Sequence, residues 1–159
     1  FRRSRGLGDV YKRQAWIREH RFCEIFMDIA MVMNQQNLWN LDIQGVEPIQ
    51  YGIYPEGGKY DWHVDQHPKP VYWVADKPSD KGMVRKISMT LFMNDPSEYE
   101  GGEFDLEIYK PETDCRYETF KLKKASAIFF QSDQWHRVRP VTSGIRKSIV
   151  AWFYGPPYK

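Results

Sequence analysis

Two hydrophobic rhythms divide the chain near Asn40. From residue 15 to about residue 38, Trp16, Ile17, Phe22, Ile25, Phe26, Ile29 and Met33 recur at helical spacing. That pattern predicts one or two amphipathic helices with an apolar stripe packed on something larger. Beyond Asn40, short β-type runs take over, separated by Gly, Pro and polar turns. They cover 46–54, 71–75, 86–93, 102–109, 116–121, 126–130, 138–141 and 147–153. About eight short strands at near-regular spacing, without helical runs between them, predict a mainly β fold of sandwich, barrel or jelly-roll type. The stretch 66–85 interrupts the rhythm. Its apolar patch Val71-Tyr72-Trp73-Val74 sits in a charged loop, which reads either as a mobile lid or as a static excursion filling a core gap.

Length and charge narrow the class. The chain has 159 residues, 42% of them hydrophobic, which suits one domain with a real core. No run of about 18 apolar residues exists to span a membrane, and no secretory signal is recognisable. Residues 1–14 carry five bases against one acid, leaving 18 bases and 20 acids in 15–159. This N-terminal stretch is read as a leader foreign to the fold, with a basic targeting arm as the alternative, and 15–159 as the domain. A mildly acidic domain argues against a phosphate-tracking nucleic-acid binder. The cysteines, Cys23 and Cys115, form neither a disulfide framework nor a CxxC zinc site, and read as thiols of a cytoplasmic protein.

Candidate chemistry rests on the four histidines. His20 lies among charged helix residues and His67 precedes Pro68 in a loop; both read as solvated. His63 and Asp65 form His-x-Asp, and positions i and i+2 of a strand share a face, so both can reach one metal. A third ligand is available in His136, 71 residues after Asp65. Two His and one carboxylate make the facial triad of Fe(II) oxygenases, although a zinc hydrolase can use the same donors. Arg146 lies ten residues beyond His136, where an inward guanidinium could clamp a carboxylate.

Several motifs in this order resemble the Fe(II)/2-oxoglutarate-dependent dioxygenases, specifically the bacterial and phage type of the prolyl 4-hydroxylase-like branch. They are Tyr54-Pro55-Glu56-Gly57-Gly58-Lys59-Tyr60-Asp61-Trp62-His63-Val64-Asp65; Arg85-Lys86-Ile87-Ser88-Met89-Thr90-Leu91; Tyr99-Glu100-Gly101-Gly102-Glu103-Phe104; and His136 through Arg146. The resemblance covers residues 46–159. It implies a double-stranded β-helix, the cupin-like jelly roll, with the N-terminal helices packed on one sheet. It implies Fe(II) ligated by His63, Asp65 and His136, with 2-oxoglutarate held by Arg146 and bordered by Tyr54. Either Ser88 or Thr90 would add a hydroxyl to that pocket. It implies O2 as a further co-substrate and ascorbate as an activator. The implied reaction couples oxidative decarboxylation of 2-oxoglutarate to hydroxylation of a C–H bond, in a peptidyl proline or a small metabolite. Gly101-Gly102 is expected to serve a turn or bulge, while Trp62, Trp135 and Trp152 would wall the barrel.

Two departures matter. Related halogenases replace the carboxylate that is intact here as Asp65. The nucleic-acid demethylase branch carries Arg-x-Asn after the second His, whereas Arg139 is followed by Pro140-Val141. A reading from another class remains beside the enzyme: a non-enzymatic jelly-roll module whose cluster holds a metal or ligand.

Overall fold

The strand β13 (Arg146–Gly155) carries two chemistries on its two faces. Ala151 and Phe153 point one way into a fully buried apolar cluster, while Arg146, Ser148, Val150 and Trp152 point the other way into a cavity. Period-2 alternation of this kind lets one strand build a core and a site together.

The computed structural model describes residues 2–3, 13–66, 82–110 and 115–158. Its elements are β1 (Arg2–Arg3), β2 (Arg13–Ile17), α1 (His20–Gln36), β3 (Gly45–Val46), β4 (Ile49–Tyr54), β5 (Tyr60–His63) and β6 (Val84–Phe92). There follow β7 (Tyr99–Gly101), β8 (Phe104–Lys110), β9 (Cys115–Phe120), β10 (Ala127–Gln131), β11 (His136–Val138), β12 (Val141–Gly144) and β13. The major sheet has the order β1-β2-β4-β13-β6-β10, with β3 also on β13; the minor sheet runs β5-β11-β8-β9, and β12 pairs with β7. The ladders are antiparallel. This is the expected jelly roll, a double-stranded β-helix.

Two cores hold it together. Ala30 of α1 packs with Ile49, Ile87, Met89, Ala151 and Phe153 on the outer face of the major sheet. Between the sheets, Tyr54, Phe92 and Phe130 meet Phe104, Leu106, Val138 and Val141. β6 is buried on both faces, as befits a central strand covered by a helix on one side and a sheet on the other.

The departures from the sequence reading have local causes. Residues 15–17 were assigned to the helix but belong to β2, which covers the edge of β4 with Trp16 opposite Gln50. The expected helix starts at His20, after the polar Arg18-Glu19. β2 begins at Arg13, so the boundary expected between 14 and 15 falls inside a strand. The run 46–54 divides at Pro48 and the run 138–141 at Pro140, because proline cannot donate to a ladder. β5 and β7 are short strands that the run list omitted. The expected strand 71–75, His67 and most of the 66–85 lid candidate lie outside the described residues.

Gly101 explains the turn expected of its pair. It sits at φ +69°, and a Cβ there would fall 2.3 Å from the Pro140 carbonyl oxygen. The β7–β12 register shifts between Val141 and Ser143, the bulge this close approach serves.

Phe153→Ala should remove a fully buried ring from the helix-side core and cost about 3–5 kcal/mol in a urea melt. Its ring lies away from the cavity, so metal binding should survive in the folded fraction. An unchanged melt would contradict this packing.

Candidate active site

The two candidate ligand histidines face each other across a ladder. His136 opens β11 and pairs directly with His63, the last residue of β5, so their rings lie 4.1 Å apart between centroids. Asp65 lies just past β5 rather than on it. Its place is fixed by the backbone: the N–H groups of Asp65 and Gln66 both donate to the Ser132 carbonyl, at 3.0 and 2.8 Å. His63 Nε2 then stands 3.5 Å from Asp65 Oδ1, and His136 Nε2 stands 3.4 Å from Oδ2.

The tautomers follow from the second ring nitrogens. His63 Nδ1 is 2.8 Å from the Asp61 carbonyl, and His136 Nδ1 is 3.0 Å from that of Gln134. A carbonyl only accepts, so each Nδ1 carries the proton and each Nε2 presents a lone pair. Burial pushes the Asp65 carboxyl up, yet hydrogen bonds and charge from His136 and His63, available when their Nε2 atoms are protonated, outweigh burial and hold it well below the usual carboxylate range; a cation bound there would take the place of those protons. Two lone pairs and a carboxylate converge with ligand atoms all within 4.8 Å. Such a set repels itself unless a cation sits at its centre. Two imidazoles and one carboxylate suit Fe(II) with an open face, so the donors fit the implied metal.

Arg146 supplies the second half. It is 1% exposed and pairs in register with Tyr54 of β4. Its Nη1 donates to Ser148 Oγ at 3.2 Å, but Nε and Nη2 have no hydrogen-bond partner. The Tyr54 and Phe92 rings flank the guanidinium at 5.1 and 5.6 Å. A buried guanidinium with donors unmet calls for an anion. That orphaned edge fits the carboxylate of a 2-oxo acid.

One cavity of about 390 Å³ joins both halves, lined by His63, Asp65, His136, Arg146 and Tyr54 among others. Thr90 lines it too. Ser88 is fully buried and hydrogen-bonded to Ser132 Oγ at 2.9 Å, so of the two candidates Thr90 is the one that borders the cavity. Of the three tryptophans expected to wall the barrel, only Trp152 does so. Trp62 and Trp135 neighbour the inward histidines and therefore point outward; Trp135 is 48% exposed, and Trp62 packs on Tyr117 beneath Arg137. His20 is exposed and pairs with Glu24, as a solvated helix residue should.

The sequence reading missed a buried clamp beside Asp65. Arg85 donates to both Glu47 carboxylate oxygens at 2.6 Å, stacks 4.1 Å over Trp152, and reaches the Asp65 carbonyl at 3.5 Å. The available signal was weak: charged residues at the heads of otherwise apolar strands.

Residues 49–154 match the family model of the 2OG-Fe(II) oxygenase superfamily. The chain belongs to that superfamily. Among its relatives, a PKHD-type hydroxylase of Teredinibacter turnerae is 32% identical over 107 residues, covering 67% of this chain and 42% of the relative. One from a Psychrobacter species is 33% identical over 108 residues, covering 67% and 38%. The chain thus spans well under half the length of these curated relatives. Among solved structures, a Pseudomonas putida prolyl-4-hydroxylase superposes with TM-score 0.66 at 18% identity, over 92% of this chain and 73% of that one. The viral collagen prolyl hydroxylase of Paramecium bursaria Chlorella virus-1 superposes with TM-score 0.67 at 20% identity, over 92% and 80%. At these identities the structures share the oxygenase fold.

The strand bearing His136 is braced from its outer face. Asp105, fully buried on β8, accepts from Arg137 Nε at 2.6 Å, Arg139 Nε at 2.8 Å and Thr119 Oγ1 at 2.7 Å. Burial raises the Asp105 carboxyl, but the hydrogen bonds from Arg139, Arg137 and Thr119 prevail and hold it below the usual range. A depressed carboxylate contributes stability above its unfolded pKa and loses it as pH falls through the folded one. Asp105→Asn should therefore cost about 2 kcal/mol at neutral pH, a figure discounted because both arginines are about a third exposed. The variant should lose less stability than the wild type on acidification below about pH 4. Parallel acid limbs in pH-dependent denaturation would contradict this bracing.

Proposed function

We propose that the protein is an Fe(II)- and 2-oxoglutarate-dependent hydroxylase in which His63, Asp65 and His136 hold the metal. Arg146 binds the distal carboxylate of 2-oxoglutarate, and Tyr54 and Thr90 border it. Fe(II) bound there supplies the chemistry by which 2-oxoglutarate, O2 and a C–H bond become succinate, CO2 and an alcohol. The observation that carries the reading is a metal-type donor set and an unmet buried guanidinium in one 390 Å³ cavity. A module that merely held zinc would have no use for the second feature.

The chain's own residues do three things. The carbonyls of Asp61 and Gln134 keep both Nε2 atoms free for the metal. Arg146 orients the co-substrate by charge and by two N–H groups on one edge. Phe104 and Phe130, which line the cavity, keep water from it.

The relatives are named hydroxylases, and the solved structures that share the fold are prolyl hydroxylases; the substrate proposed here is accordingly a peptidyl proline, hence a protein or peptide partner, with a small metabolite as the other class. Trp152 Nε1, buried without a partner at the cavity, offers that substrate a donor. The acidic balance of 15–159 disfavours nucleic acid. Among the described residues no helix is long and apolar enough to cross a membrane. The two cysteines, not joined in a disulfide, fit a cytoplasmic setting. Ascorbate belongs in the assay as a reductant that maintains Fe(II).

Anaerobic addition of Fe(II) and 2-oxoglutarate should give a weak visible charge-transfer band, lost in His63→Ala. With O2 and ascorbate, succinate should form. Arg146→Ala should raise the 2-oxoglutarate KM about 100-fold while leaving the Fe(II) affinity nearly unchanged. No band and no succinate from the wild type would overturn the assignment in favour of a non-enzymatic module.

A further inference from the structure

Among the described residues, four buried side-chain polar atoms lack a hydrogen-bond partner: Tyr99 Oη, Arg146 Nε, Arg146 Nη2 and Trp152 Nε1. Three of the four belong to two neighbouring side chains. We propose that the Tyr99 hydroxyl is a binding group for the distal carboxylate of the 2-oxo acid, completing a three-donor cradle with Arg146. The inference rests on the function proposed above and assigns Tyr99 a part in it.

Geometry carries the assignment. Nε and Nη2 share one edge of the guanidinium, the edge that grips a carboxylate through two parallel hydrogen bonds; Nη1, on the other side, is occupied by Ser148. Tyr99 stands directly beside this group. A Cβ on Gly102 would lie 3.0 Å from Val141 Cγ2, 3.1 Å from Arg146 Cδ and 3.2 Å from Tyr99 Cε2, so both side chains pack closely against the same glycine. Gly102, at φ +64°, is the residue that leaves room for them. The tyrosine is 3% exposed and its ring is pinned on the far side. Lys121 Nζ donates to the Tyr99 carbonyl at 2.9 Å and sits 4.6 Å over the ring.

The chemistry agrees. Burial raises the Tyr99 phenol above its ordinary range, against the pull of Arg146, so it stays protonated and can donate. Arg146 approaches the phenol oxygen, whose own proton still has no acceptor, and a buried donor left in that state beside a guanidinium edge points to one shared acceptor. A carboxylate has lone pairs enough for all three donors. The cradle should therefore select 2-oxo acids that carry a second carboxylate.

Tyr99→Phe isolates the hydroxyl, since it keeps the ring between Lys121 and Gly102. Binding is measured anaerobically by calorimetry on the full chain loaded with Mn(II), using 2-oxoglutarate and oxalate as probes. Oxalate can chelate the metal but has no distal carboxylate. The variant should bind 2-oxoglutarate about tenfold more weakly. Its affinities for oxalate and Mn(II) and its melting temperature should match the wild type. Equal 2-oxoglutarate affinity, or parallel weakening for oxalate, would overturn the role of Tyr99. A wild type that binds oxalate and Mn(II) but no 2-oxoglutarate would overturn both this inference and the function beneath it.

Discussion

A guanidinium buried to 1% exposure with two of its nitrogens unmet is the constraint around which this fold is arranged. Taking such a charge out of water costs several kcal/mol unless an anion meets it. Structure has been shaped to keep it there. β13 begins at Arg146, pairs it with Tyr54, and caps Nη1 with Ser148 two residues on, leaving the carboxylate-gripping edge open to the cavity. The apolar walls that make the charge expensive also make any carboxylate that reaches it strongly held.

The metal side obeys a complementary logic. Arg146 lacks an anion, whereas Asp65 and the two Nε2 lone pairs lack a cation. Both deficits open into one cavity. The His136–His63 register sets the two rings, and the Ser132 carbonyl, the Arg85–Glu47 clamp and the Asp105 brace hold the backbone around them. Rigidity comes from the major sheet, whose outer face is sealed by α1. Function and stability thus use opposite faces of the same strands.

Much of this was legible in the sequence. The His-x-Asp pair, the late His and the Arg ten residues on lie where spacing and resemblance suggested, because strand parity and short connections leave little freedom. Other features depend on contacts that spacing cannot encode. Ser88 and Thr90 share a face of β6, and only the neighbouring Ser132 decides which hydroxyl is engaged elsewhere. Residues 15–17 carried apolar side chains compatible with either period, and the open edge of β4 drew them into a strand. Trp62 and Trp135 looked like barrel walls by type, yet adjacency to inward histidines turns them outward. Tyr99 meets Arg146 across 47 residues of chain, and a tyrosine before two glycines gives no hint of that partner.

The central claim is that the two unmet charges are met together by a metal and a 2-oxo acid. Anaerobic thermal or urea denaturation with Mn(II), with and without 2-oxoglutarate, tests it most directly. At about 100 times its Kd, the co-substrate should add about 2.7 kcal/mol of stability, and only when the metal is present. In Arg146→Met that increment should all but vanish. Stabilisation by 2-oxoglutarate that is equal in wild type and Arg146→Met, or absent from the metal-loaded wild type, would contradict the account.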